Sequence, residues 1–149
     1  MLHLESITKD NWTKAIALKV RQDQETFVAS NVFSLAQLNF LDNFYAKGIF
    51  QDDEMVGFTL YGIDDEDQQY WMYRLMIDEK HQSKGYGTQA VRLVIEDVRR
   101  MKDPGHKTLT LSYEPENTYA RDIYKRLGFE EIDGMIIEGE QIARLSLIE

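Results

Sequence analysis

Leu2 and Leu4, with Ile7 beyond them, alternate with polar neighbours and predict a short first strand. Thr8 or Asp10 is placed to cap a helix beginning near Trp12. There Trp12, Ala15, Ile16 and then Lys19 or Val20 keep the three-to-four spacing of one apolar face. A polar stretch follows and gives way to Phe27-Val28-Ala29-Ser30-Asn31. Leu35, Leu38 and Leu41 recur every three positions and predict a second helix over 34–42, after Ser34. Ile49-Phe50-Gln51 then runs through Asp52-Asp53-Glu54 into Met55–Tyr61, the pattern of a hairpin with an acidic turn. A second acidic turn, Asp64-Asp65-Glu66-Asp67, precedes Tyr70–Ile77, whose aromatic and large apolar residues mark a central strand. These strands read as an antiparallel meander.

The second half changes period. A glycine-containing loop at 82–87 leads into a helix over 88–102, with Val91, Val94, Ile95, Val98 and Met101 on one face. Asp103-Pro104-Gly105 stops it. Leu109 and Leu111 alternate with Thr108, Thr110 and Ser112, predicting a strand. A strand–helix–strand unit of this length implies a right-handed crossover between parallel strands. Asn117 is placed to cap a helix from Thr118 to Leu127, and Gly128 stands where helices commonly end. Phe129–Ile137 and Gln141–Leu147 read as two strands around Glu138-Gly139-Glu140. The fold class is therefore α/β (α+β): a mixed, mostly antiparallel sheet flanked by helices, in one domain over 1–149.

Composition narrows the chemistry. The chain of 149 residues has 43% hydrophobic and 29% charged residues, ordinary for a water-soluble domain. No apolar run reaches the roughly 18 residues that a membrane helix needs, and the first residues lack a signal peptide's basic start and apolar stretch. The absence of cysteine removes disulfides, thiolate metal sites and cysteine nucleophiles, and fits a cytoplasmic protein. A net charge of −9 disfavours nucleic acid and anionic membrane as partners and suits a cationic one. His3, His81 and His106 are far apart and keep no metal-ligand spacing, so no metal is expected. No G-x-S-x-G elbow occurs.

Two segments carry candidate chemistry. The first is Gln82-Ser83-Lys84-Gly85-Tyr86-Gly87-Thr88, between a predicted strand and a predicted helix. A diphosphate needs several convergent backbone N–H donors, and glycines let the chain approach it closely. The helix start adds partial positive charge, Lys84 a full charge and Thr88 a hydroxyl. A tight turn entering a helix would use the same glycines, and the segment is neither a P-loop nor a Rossmann fingerprint. The second segment is Asn117, Ala120, Tyr124 and Gly128-Phe129, spaced N-x2-A-x3-Y-x3-G-F. Seven residues apart, Asn117 and Tyr124 share a helix face, and Ala120 leaves room along it.

With these two segments the chain resembles the Gcn5-related N-acetyltransferases, the GNAT family, over nearly its whole length. Gln82-x-x-Gly85-x-Gly87 matches that family's acyl-CoA motif. The resemblance implies acetyl-CoA as cofactor, lying in a cleft between strands near 70–77 and 108–113. It implies that the backbone of Met76 and Ile77 meets the pantetheine arm, that 82–88 holds the pyrophosphate, that Asn117 contacts the cofactor and that Tyr124 sits near the thioester sulfur. Tyr124 is then the candidate general acid for the leaving thiolate. A lysine-like ammonium, with a pKa of about 10.4, must first lose a proton. Glu114, following the strand at Tyr113, is the candidate base, or else a solvated turn residue before Pro115.

Phe27–Asn31 and Ser112-Tyr113-Glu114-Pro115-Glu116-Asn117 resemble the small bacterial spermine/spermidine N-acetyltransferases within that family. This implies a polyamine substrate such as spermidine. Glu25, Glu54, Glu114 and Glu116 are candidates to line an acidic channel, and Tyr73 is either a pocket residue or core. Alternatives are another small-molecule amine (an antibiotic or an amino acid), a protein N-terminus, or a non-catalytic CoA-binding sensor. Tyr124 argues against the sensor, which needs no proton donor. Members of the resembled family often dimerise, so a homodimer is an expectation of the resemblance alone.

Overall fold

The computed structural model describes residues 1–148. Among them, seven strands form one sheet: β1 (Leu2–Ser6), β2 (Phe44–Gln51), β3 (Glu54–Ile63), β4 (Tyr70–Ile77), β5 (Thr108–Tyr113), β6 (Glu130–Ile137) and β7 (Glu140–Ser146). Their order across the sheet is β1-β2-β3-β4-β5-β7-β6. All neighbours are antiparallel except β4 and β5. Helices α1 (Trp12–Ala17) and α2 (Asn31–Leu38) precede β2, α3 (Tyr86–Met101) joins β4 to β5, and α4 (Thr118–Arg126) follows β5. The expected mixed sheet, antiparallel meander and parallel pair are all present.

Two helix bounds differ from the expectation for local reasons. Helix α2 spans Asn31–Leu38 rather than 34–42. Ser30 caps it, its hydroxyl accepting from the Phe33 amide at 3.0 Å, while Ser34 is buried inside the helix and donates to the Ser30 carbonyl. Leucine spacing alone gave the wrong register of the ends; the cap set them. Helix α3 starts at Tyr86, two residues early, because Gly85 adopts φ 79° and turns the chain there. That left-handed conformation favours glycine. Strand β2 also begins earlier than the hairpin pattern indicated, at Phe44.

The core lies on both faces of the sheet. Val91, Val94 and Val98 of α3 and Ile123 of α4 pack with Leu109, Leu111 and Tyr113 of β5 and Tyr70 and Met72 of β4. A second cluster joins Ala15 of α1 to Phe50, Phe58, Leu60 and Met76, with Leu35 and Leu38 of α2 against it. Both helical layers are thus held by apolar stripes that the sequence period marked.

The parallel pair is short. Only Tyr70↔Leu109 and Trp71↔Thr110 are in register, although both strands continue. The sheet therefore opens between Met72–Ile77 and Leu111–Tyr113, leaving backbone on the inner edges without a strand partner. β4 also carries a bulge. Leu60 opposes Arg74 and Tyr61 opposes Met72, so Tyr73 has no opposite number on β3. The Arg74 Nη1 donates to the Tyr73 carbonyl at 2.9 Å, and the Thr59 hydroxyl to the Arg74 carbonyl at 2.8 Å. A bulge bends a strand and re-aims its side chains.

Candidate active site

A cleft of about 620 Å³ occupies the opening. Its walls come from Met72–Ile77 of β4, Leu111–Tyr113 of β5, the start of α3, one face of α4, and Phe33 and Gln37 of α2. This volume is in the range of small-molecule sites.

Most expected cofactor residues meet here. Met76, Ile77, Gln82, Ser83, Tyr86, Gly87, Asn117 and Tyr124 all line the cleft, as does Tyr73. Lys84, Gly85 and Thr88 lie in the same loop and first turn of α3 without lining it. Among the described residues no backbone carbonyl takes a hydrogen bond from the amides of Tyr86, Gly87 or Thr88, and no side chain caps the helix. The first turn of a helix of 16 residues thus presents free N–H groups beside the cleft. Ser83 has φ 65° and Gly85 φ 79°, so the loop folds tightly over the helix start. These donors suit a diphosphate. Lys84 lies 6.0 Å over the Tyr86 ring.

The Gln82 side-chain amide is engaged within the protein. Its Nε2 donates to the Ile77 carbonyl and to Gln24 Oε1, each at 2.9 Å. It therefore ties the loop to the end of β4 and to the segment before α2.

On α4, Asn117 accepts from the Ala120 amide at 3.2 Å, the expected cap. Tyr124 is 9% exposed and packs against Tyr113 and Phe129 at 5.7 Å between ring centroids. Burial, and then the neighbouring Tyr113 hydroxyl, push the Tyr124 pKa up. The phenol keeps its proton at neutral pH. Tyr113 is pushed up to about 12 by burial and by its hydrogen bond to Glu131, which Arg121 also holds at 2.9 Å.

The acidic residues are distributed differently from the expectation. Glu25, Glu54, Glu114 and Glu116 are not among the lining residues. Glu25 and Glu116 are exposed, and Glu54 sits at the β2–β3 turn, 3.0 Å from His81 Nε2. Glu114 is half-buried, with Oε2 enclosed and unbonded among the described residues. Instead, Asp64, Glu138 and Glu140 line the cleft. Asp64 accepts the Tyr73 hydroxyl, and Glu140 Oε1 accepts the Ser112 hydroxyl at 2.5 Å. Sequence reading saw these acids only as turn residues. Nothing local in the chain brings the β3–β4 turn and the β6–β7 turn to one cleft.

Arg74 also faces the cleft. Its Nη2 donates to Gln37 Oε1 at 3.0 Å, its guanidinium lies 5.6 Å over the Phe33 ring, and its buried Nε has no partner among the described residues. Burial lowers its pKa, with the Glu140 charge opposing. Among the described residues no group of three or more His, Asp or Glu is arranged to hold a metal, and no helix is long and apolar enough to cross a membrane.

Comparison with known proteins agrees with this geometry. Residues 5–129 match the model of the acetyltransferase (GNAT) family. The chain is 25% identical over 147 residues to a spermine/spermidine N(1)-acetyltransferase of Bacillus subtilis, covering 95% of each. In fold it is similar to a spermidine N-acetyltransferase from Vibrio cholerae crystallised with CoA and spermine, with TM-score 0.75 and 14% identity over 98% of this chain and 95% of that one. It is also similar to an aminoglycoside acetyltransferase crystallised with coenzyme A, with TM-score 0.80 and 15% identity over 98% and 95%. A cleft split open between parallel strands, a helix start that presents unpaired amides to it and a family model spanning most of the chain lead to one conclusion: the chain belongs to the GNAT family, as an acetyl-CoA-dependent N-acetyltransferase.

Proposed function

We propose that the acceptor is a polyamine such as spermidine or spermine. The observation that carries this reading is the set of carboxylates lining the cleft, Asp64, Glu138 and Glu140, in a chain of net charge −9. A polycation is drawn to such a cleft by Coulomb attraction and is held by charge-assisted hydrogen bonds. The aromatic faces of Trp71 and Tyr73, which also line it, suit ammonium groups and the methylene chain between them. The Bacillus subtilis relative is named for the same substrates.

Acetyl-CoA supplies a thioester, whose carbonyl carbon the amine attacks and whose sulfur leaves as thiolate. In our reading the amides of Ser83–Thr88 and the N-terminal end of α3 hold the diphosphate, and Asn117 meets the cofactor from α4. Backbone near Met76 and Ile77 on the edge of β4 that faces the opening binds the pantetheine arm, and an amide there stabilises charge developing on the carbonyl oxygen. Tyr124 gives the departing sulfur a proton. Its burial fits that role, since the proton stays on the phenol until a strong base forms beside it.

Purified protein is expected to release free thiol from acetyl-CoA when spermidine or spermine is added. Turnover confined to other amines on a broad panel would remove the polyamine reading. Arg74 favours one such alternative. A half-buried guanidinium with no carboxylate partner among the described residues suits an acceptor that carries its own carboxylate, such as an amino acid. Preference for an amino acid over spermidine on the same panel would select it.

A further inference from the structure

We infer that Glu140 is the base that takes the proton from the acceptor's ammonium, with Ser112 as the positioning residue that aims it. This assignment rests on the acetyltransferase reading and is independent of which amine is used.

The nucleophile needs a carboxylate that reaches the cleft. Glu140 opens β7 at the turn after β6 and lines the cleft beside Ser112 of β5. Ser112 opposes Ile142 in the β5–β7 ladder, so its side chain is fixed on the sheet next to the hairpin tip. Its hydroxyl donates to Glu140 Oε1 at 2.5 Å. That bond uses one carboxylate oxygen and fixes the side chain's direction. No other hydrogen bond from a described residue occupies Oε2. Arg74, across the opening on β4, feels the Glu140 charge without forming an ion pair with it. The carboxylate is therefore held in place and keeps an oxygen for the substrate.

The other ionisable groups around the cleft fill different roles. Asp64, on the β3–β4 turn, accepts the Tyr73 hydroxyl, and Glu138 is exposed at the hairpin tip. From β5 and α4, Tyr113 and Tyr124 face the cleft with raised pKa values, as Tyr73 does from β4. All three phenols remain neutral between pH 7 and about 9. His81 lines the cleft next to the cofactor loop and contacts Glu54.

The step balances simply. One N–H bond of the ammonium breaks and its electron pair stays on nitrogen. The proton forms an O–H bond at Glu140 Oε2 and later passes to solvent. The neutral amine left in the cleft is the attacking species.

The test is the pH dependence of kcat/KM for the acceptor, with spermidine first and otherwise the amine that the wild type turns over fastest on the panel. A failure of the polyamine reading appears in the wild type's choice of acceptor, and a failure of this inference appears in the shape of the profile. With a base in the cleft, the wild-type profile is flat between pH 7 and about 9, below the amine's ordinary pKa of about 10.4. Glu140→Gln keeps an oxygen for Ser112 but cannot take a proton. It is expected to fall several hundredfold, on the order of 10²–10³, below wild type at pH 7.5, the factor by which an amine of pKa about 10.4 is protonated there. Its rate should then climb about tenfold per pH unit, because only amine already neutral in solution reacts. Glu140→Asp is expected to restore the flat shape at a lower height. A Glu140→Gln profile parallel to wild type would overturn the inference, as would the steep profile appearing in Glu114→Gln instead. If Glu140→Gln fails to fold, the Asp variant decides: a flat profile supports the base, a steep one overturns it.

Discussion

Tyr124→Phe is expected to lower kcat by about 10²–10³, with little change in acetyl-CoA affinity. The substitution removes one oxygen from a side chain that is 9% exposed and leaves the ring in place between Tyr113 and Phe129. No hydrogen bond to a described residue contributes to the pKa of that hydroxyl, which is raised by burial and by the neighbouring Tyr113 hydroxyl. Its loss therefore breaks no intramolecular bond, and stability should hold. What is lost is the proton that we propose it gives the leaving sulfur. A fall in kcat at unchanged acetyl-CoA dissociation constant and unchanged melting temperature is the signature of an interaction made in the transition state. Steady-state kinetics, a cofactor titration and a thermal melt read the three quantities. An unchanged kcat removes Tyr124 from the acid role. A fall confined to cofactor binding reassigns it to the wall of the cleft.

Gly57→Ala should be costly in stability and in cofactor binding together. Gly57 of β3 opposes Ile77 of β4. A Cβ there would stand 2.5 Å from the Met76 carbonyl oxygen, 2.9 Å from Ile77 Cδ1 and 3.0 Å from Ile49 Cδ1. The nearest of these is backbone and cannot swing aside. β4 must be pushed toward the opening, at the two residues proposed to meet the pantetheine arm. Overpacking of this kind costs about 1–3 kcal/mol, and a backbone clash belongs at the upper end. For a chain of this size that is a melting temperature lower by about 6–10 °C. The same displacement should weaken acetyl-CoA binding several-fold, measured by calorimetry on the folded variant. An unchanged melting temperature would show that β3 and β4 separate freely at this point. Lower stability with unchanged cofactor affinity would show that the Met76–Ile77 backbone does not hold the cofactor.

Much of this was legible from residue order. The antiparallel meander, the strand–helix–strand unit and the two apolar helices follow from alternation and from three-to-four spacing, because burial of one face is a local demand on sequence. The loop at Gln82–Thr88 and the helix carrying Asn117 and Tyr124 were found for a related reason. Their chemistry depends on short-range geometry, a glycine with positive φ before a helix start and two residues on one helix face. Even there the chain alone misplaced the start of α3 and the cap of α2. Gly85 and Ser30 act through backbone angles and one hydrogen bond, which an apolar pattern does not record.

The acidic lining was not legible. Glu25, Glu54, Glu114 and Glu116 stand near motif segments in sequence but do not line the cleft. Asp64 and Glu140 line it because the sheet order puts β7 beside β5, and because the β4–β5 ladder stops after Trp71 and Thr110. The same is true of Arg74, whose direction is set by the bulge at Tyr73. The sequence by itself determined the elements and picked out the loop and helix that we propose hold the cofactor, since both are written in contiguous residues. Only the tertiary structure decided which charges line the cleft, because strand order and strand divergence are properties of distant segments packed together.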